Sequence, residues 1–153
     1  MSVVQSERIG WLAGCWDLVA ITFTGADGSL QTPWGPDPIG VLLVTTSGAL
    51  SAHGGRRDRR PFAGEYPTPD EKQQAYDDYF SYFARIVRID EEAGTLVSAV
   101  DGATDPGWVG TEQLRFLDIE GHDGIVLRTA PLALGGVEVV GRMTWRRRGG
   151  EVT

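Results

Sequence analysis

The chain holds a single cysteine, Cys15, and only two histidines, His53 and His122, among 153 residues. One thiol closes no intrachain disulfide. A zinc site on nitrogen and sulfur ligands needs three or four convergent groups, and no familiar spacing unites these three residues, so no metal is expected. Basic charge is scarce as well: 14 Lys and Arg stand against 21 Asp and Glu, a formal net charge of −7. Nucleic acids and anionic membranes select basic surfaces, and neither is expected as a partner. No apolar run approaches the roughly 20 residues needed to span a bilayer. The opening residues, Met1 to Arg8, have neither the basic start nor the apolar centre of a secretory signal, so a cytoplasmic location is the expectation. There is no Gly-x-Ser-x-Gly elbow, no Cys–His pairing by spacing, and no Gly-rich loop between a strand and a helix. The chain is therefore expected to work without a cofactor.

Glycine, by contrast, is plentiful: 21 residues without a period, which suits a turn-rich β protein. The length is that of one domain over residues 1–153, large enough for a core or an enclosed cavity. Gly14-Cys15-Trp16 opens a run of β-branched and aromatic residues that reaches Thr24 and reads as the first long strand. Before it, Ile9, Trp11 and Leu12 stand near helical spacing in residues 5–13, predicting a short helix or turn that caps one end. Three prolines in Pro33-Trp34-Gly35-Pro36-Asp37-Pro38 exclude a central strand and predict a rigid rim loop. Ile39–Thr46 and Ala49–His53 flank Ser47-Gly48 as a hairpin, and Gly54–Pro61 is a polar crossover. The second half reads as a meander: Ala84–Asp90, Thr95–Asp101, Thr111–Ile119, Ile125–Ala130 and Val137–Arg147. Strands in such number must hide their edges. The fold class is accordingly mainly β, a single closed antiparallel barrel of about eight strands in which the first meets the last, with room for one small ligand.

One helix interrupts the strands. Thr68-Pro69-Asp70-Glu71 has the residue types of an N-cap, a proline at the first helical position and a carboxylate that completes a capping box. From Ala75 onward, Tyr76, Tyr79, Phe80, Tyr82 and Phe83 fill an arc of roughly 160° at helical spacing. The pattern predicts a helix over about 69–83, its aromatic face packed at the barrel mouth or flank.

Several blocks are similar to a known family. Gly14-Cys15-Trp16-Asp17-Leu18-Val19, the stretch from Pro33 to Gly40, and Ser47 to Ala52 resemble the bacterial and fungal lipocalin-like domain family. So do Tyr79 to Arg85, Trp108 to Arg115, Leu127 to Pro131, Gly135-Gly136 and Thr144-Trp145-Arg146. The resemblance covers nearly the whole chain in order. It implies a small barrel with a cavity, with Trp16 plugging the floor as the Gly-x-Trp tryptophan of lipocalins does. It also implies a histidine near the positions of Ser98 and Ala99, where this chain has none. Some small barrels of this general kind act as cyclases or isomerases in secondary-metabolite pathways.

Strict alternation on Thr111–Ile119 puts Gln113, Arg115, Leu117 and Ile119 on one face. The partner strand offers Ile125, Leu127 and Thr129 on matching parity, so this face is expected to look inward. An inward arginine must be paired or meet an anion. Arg115 is either a ligand-binding or catalytic group, or an interior plug stacked on Trp16. Tyr79 and Tyr82 are candidate proton donors to a developing enolate or carbonyl oxygen, and His53, at a strand end, a candidate rim base. Trp16, Trp34, Tyr76, Phe83, Trp108, Gln113, Leu117 and Leu127 are expected to contact the ligand. Arg56, Arg57, Arg59 and Arg60 form either a solvated loop or a mouth that attracts an anionic tail, and Arg146-Arg147-Arg148 reads as a solvated strand end.

Two functions fit these residues. One is a cofactor-independent cyclase or isomerase acting on an apolar polyketide-like or terpenoid-like substrate inside the barrel; the other is a non-catalytic carrier of an apolar ligand. Either would be a monomer or a homodimer.

Overall fold

The computed structural model describes residues 7–149. A short helix, α1 (Glu7–Leu12), precedes β1 (Gly14–Gly25), β2 (Leu30–Gln31), β3 (Ile39–Val44) and β4 (Ala49–Gly55). Then come α2 (Pro69–Asp77), β5 (Tyr79–Asp90), β6 (Thr95–Ala103), a 3₁₀ turn (Pro106–Trp108), β7 (Glu112–Glu120), β8 (Gly124–Thr129), β9 (Leu132–Leu134) and β10 (Val137–Arg147). Strand order is β2-β1-β3-β4-β5-β6-β7-β8-β10-β9, and β1 pairs back onto β10 to close the sheet. The closed wall is an eight-stranded antiparallel barrel, with β2 and β9 as short additions at one end of β1 and β10. No helix among the described residues is long and apolar enough to cross a membrane.

Closure depends on the β1–β10 seam, which runs from Trp16↔Arg147 to Gly25↔Val139. Trp16 and Leu18 are buried, and the pairing then slips between Leu18 and Ala20. Such a bulge inverts the parity of the residues beyond it, so Ile21 and Phe23 face inward instead of Ala20 and Thr22. On β7 and β8 the alternation holds without a slip: Leu117 opposes Leu127 and Arg115 opposes Thr129. Ile119, at the end of the strand, is 39% exposed.

The floor is built around Trp16. Its indole is fully buried and donates from Nε1 to the carbonyl of Leu12 at 2.8 Å. Ile9 and Leu12 of α1 are buried against the same core, and the Trp11 ring lies 5.6 Å from that of Trp16. The stacked cation is Arg147. Its guanidinium sits 4.2 Å from the Trp16 centroid and 4.9 Å from that of Trp11. It also donates to the carbonyls of Ala13 (3.2 Å) and Trp11 (2.6 Å). Arg115 is therefore not the interior plug, and Arg147 is not a solvated strand end. The seam register decides this, because it sets Arg147 directly opposite Trp16. Arg115 opposes Thr129, whose hydroxyl accepts the amide of Gly141; from Gly141 to Arg147 is about 20 Å of strand. Gly14 completes the floor: it takes φ 133°, a left-handed value that favours glycine, and a Cβ there would meet Arg147 Nη1 at 3.4 Å.

The helix is shorter than its pattern suggests. Thr68 caps it as expected, with the reciprocal Glu71 bond of a capping box, but it stops at Asp77. Tyr79 to Phe83 belong to β5, paired with β4 from Gly55↔Tyr79 to Ala49↔Arg85. An aromatic-rich run of this kind satisfies a helical arc and a strand alike. Two carboxylates, Asp77 and Asp78, stand where a helix C-terminus disfavours negative charge, and aromatics suit a pleated surface; pairing with β4 settles the choice. The predicted aromatic helix face does not exist, and α2 buries none of its residues.

Replacing Trp16 by Ala is expected to cost about 3–5 kcal/mol, seen as a fall in melting midpoint of roughly 6–20 °C. An unchanged midpoint would contradict its place as the floor anchor.

Candidate ligand-binding site

At the end of the barrel away from Trp16 lies a cavity of about 340 Å³, open at the mouth. That is near the lower bound of small-molecule sites. Its walls are largely aromatic. Trp34, from the proline-rich rim loop, stands between Phe23 of β1 (6.4 Å between centroids) and Phe80 of β5 (5.2 Å). Tyr82 of β5 packs on Trp108 of the 3₁₀ turn at 5.3 Å. Two glycines make room for these rings. A Cβ at Gly54 would stand 2.7 Å from the Phe80 ring, and one at Gly141 would stand 2.8 Å from Phe23. Met143, Leu132, Ala103 and Thr129 extend the wall, and α2 contributes Tyr76 and Asp77 at the rim.

Arg115 and Gln113 project into this largely apolar space from β7, and Asp77, Asp105, Ser81 and Thr104 also line it. Arg115 donates from Nη1 to the Leu114 carbonyl (2.9 Å) and to Gln113 Oε1 (3.4 Å). Gln113 donates to Thr111 Oγ1 (2.8 Å), whose hydroxyl donates to the Trp108 carbonyl (2.6 Å). Among the described residues Arg115 forms no ion pair. Burial pushes the Tyr82 phenol above the ordinary tyrosine value, opposed in part by the positive charge of Arg115. The phenol thus stays protonated, and no hydrogen-bond partner for it stands among the described residues. The buried indole N–H of Trp34 likewise lacks one.

Of the residues singled out in the sequence, Arg115, Tyr79, Tyr82, Trp34, Tyr76, Trp108 and Gln113 all line the cavity. Five others do not. Trp16 is sealed in the floor beneath Arg147. Leu117 and Leu127 belong to the core packing of the barrel. Phe83 points outward, 57% exposed, against Gly102. His53 alternates with the buried Leu50, Ala52 and Gly54, so it faces outside, within 2.8 Å of the Ser51 hydroxyl. Phe23, Asp77, Leu132 and Met143 escaped sequence reading, while Phe80 and Thr129 were read by face but not as cavity contacts. Phe23 hid behind the β1 bulge, and Phe80 behind the helical assignment of its segment.

The basic cluster is largely committed to the rim. Arg56 pairs with Asp78, Arg57 with Asp37 and the Pro38 carbonyl, and Arg59 donates to the Ala75 carbonyl while lying over the Tyr79 ring. Among the described residues no group of three or more His, Cys, Asp or Glu is placed to hold a metal ion.

A family model described as lipocalin-like domain matches residues 13–148, from the residue before β1 to the residue after β10. The chain belongs to the lipocalin-like domain family. No curated protein matches it. Two solved structures are similar to this lipocalin-like barrel. One is a redesigned beta barrel, 12% identical with a TM-score of 0.47, the match covering 97% of this chain and all of the other. The second is a de novo designed fluorescence-activating beta barrel, 11% identical with a TM-score of 0.46, covering 94% and 100%. A lipocalin-like barrel is suited to holding a small molecule.

Because folding raises the Tyr82 pKa, the folded state loses relative stability as pH climbs past the ordinary tyrosine value of about 10. Denaturation midpoints should therefore fall on the alkaline side of pH 10, and Tyr82→Phe should flatten that fall. An identical alkaline profile in the variant would contradict the burial of a neutral phenol.

Proposed function

We propose that the barrel takes up an apolar, polyketide-like or terpenoid-like molecule and rearranges it by cofactor-independent isomerisation or cyclisation. The observation that carries this reading is the pairing of a protonated phenol, Tyr82, with a carboxylate-free guanidinium, Arg115, in an aromatic cavity. A carbonyl oxygen placed between them would gain most stabilisation as it becomes an enolate, because the developing charge meets fixed donors that need no reorganisation. Arg115 balances the charge and Tyr82 donates the hydrogen bond. The carbon-bound proton needs an acceptor. Of two carboxylates in the lining, Asp105 is engaged by the Gly107 amide, which leaves Asp77. Shape does the remaining work by holding the substrate near its reactive conformation.

A carrier role is favoured by one feature: the mouth is open, and the helix beside it buries no residue. Such a mouth lets a ligand in and out but shields a reactive intermediate poorly.

Deuterium exchange separates the two readings. 2-Tetralone is an apolar bicyclic ketone with acidic protons beside its carbonyl. The wild-type chain should accelerate their exchange in D₂O, followed by NMR, and Tyr82→Phe or Asp77→Asn should slow it about tenfold or more. Binding of the ketone, seen by saturation transfer, with exchange no faster than in buffer would leave the carrier reading in place.

A further inference from the structure

We propose that the ligand carries a carboxylate held by the Nε and Nη2 edge of Arg115, and that Thr111 positions this edge through Gln113. The proposal rests on the reading of the cavity as a container for a largely apolar small molecule and narrows what that molecule is. A carboxylate on this edge takes the place of the enolate oxygen as the anion of Arg115 and leaves Tyr82 to meet the carbonyl.

Three other arginines of the chain show what the edge does. Arg85 grips Asp101 through Nε (2.9 Å) and Nη2 (3.0 Å). Arg128 grips Asp118 through Nε (2.6 Å) and Nη2 (3.4 Å). Arg148 grips Asp17 through Nη2 to Oδ1 (2.6 Å) and Nε to Oδ2 (3.3 Å). The fork of two parallel N–H groups matches the two oxygens of a carboxylate, which is why the geometry recurs. Arg115 differs in how it is tied. Only Nη1 is engaged, by the Leu114 carbonyl and Gln113 Oε1. The Nε and Nη2 edge has no partner among the described residues. The three surface forks are filled by the chain itself, and the one that lines an aromatic cavity is not. A half-buried guanidinium is best satisfied by an anion, and the two carboxylates of the lining, Asp77 and Asp105, form no ion pair with Arg115 among the described residues.

The orientation of Gln113 is what keeps the edge available. Thr111 gives its hydroxyl proton to the Trp108 carbonyl, so its oxygen can only accept from Gln113 Nε2. That fixes the amide with Oε1 toward Arg115. The reversed amide would set N–H groups against the guanidinium. Trp108 also packs on Tyr82, so the relay begins at the wall the ligand touches. Thr111 is in this sense a positioning residue.

The test compares two naphthalenes of nearly equal shape by calorimetric titration: 2-naphthoate, and the neutral ketone 2-acetonaphthone. The wild-type chain should bind the carboxylate at least about tenfold more tightly than the ketone. Arg115→Lys, which keeps the charge but lacks the fork, should bring the two within about threefold. Thr111→Val should shrink the preference several-fold while leaving ketone affinity unchanged, and Thr111→Ser should restore it. Equal affinity for the two probes in the wild-type chain overturns the carboxylate assignment and leaves the container reading standing; that comparison needs no variant to fold. An undiminished preference in Thr111→Val overturns the positioning role. Binding of neither probe overturns the container reading itself.

Discussion

The stack of Arg147 on Trp16 is the interaction on which the architecture turns. It lies across the seam where the first long strand meets the last, and it ties that seam to α1 through the Trp11 and Ala13 carbonyls. A cation held over an indole and away from water contributes up to about 2 kcal/mol, and the charged hydrogen bonds add to it. The same contact closes the barrel at one end. The aromatic cavity lies at the other end.

This arrangement gives the two inward arginines different tasks. Arg147 is satisfied by the chain, with carbonyls at its donors and indoles at its face. Arg115 is only half satisfied, anchored at Nη1 and otherwise facing a cavity whose lining is mostly ring carbon. The aromatic walls depend on backbone economy as much as on the rings. Gly54 and Gly141 carry no side chain where Phe80 and Phe23 must lie, so an alanine at either would displace a ring of the cavity wall. The rim arginines form a third group. Their partners are Asp37, Asp78 and backbone carbonyls, and they brace the mouth more than they charge it.

Much of this was legible in the residues, wherever the signal was local. Alternation on β7 and β8 placed Arg115 and Gln113 inside, because both strands keep a period of two without interruption. The capping box at Thr68 and Glu71 located the start of α2. Its end was not legible: Tyr79 to Phe83 fit a helical arc and a strand equally well, and only pairing with β4, some thirty residues earlier, chose between them. The floor arginine was hidden for a similar reason. Which strand supplies the cation over Trp16 depends on cross-seam register, a contact between residues 131 positions apart. Phe23 was concealed by a one-residue slip in β1, which reverses faces without changing the hydrophobic pattern in any visible way. His53 and Phe83 were read as site residues for their chemistry, but parity turned both outward.

The central claim is this division of labour between Arg147 and Arg115. Thermal melting and 2-naphthoate titration of Arg147→Leu and Arg115→Leu, measured side by side, test it most directly. Arg147→Leu should lose about 2–4 kcal/mol, or roughly 5–15 °C in melting midpoint, while the protein that remains folded still binds. Arg115→Leu should melt within a few degrees of the wild-type chain and fail to bind. The reverse pattern, with Arg115→Leu unfolding the barrel and Arg147→Leu leaving its midpoint unchanged, would contradict the account.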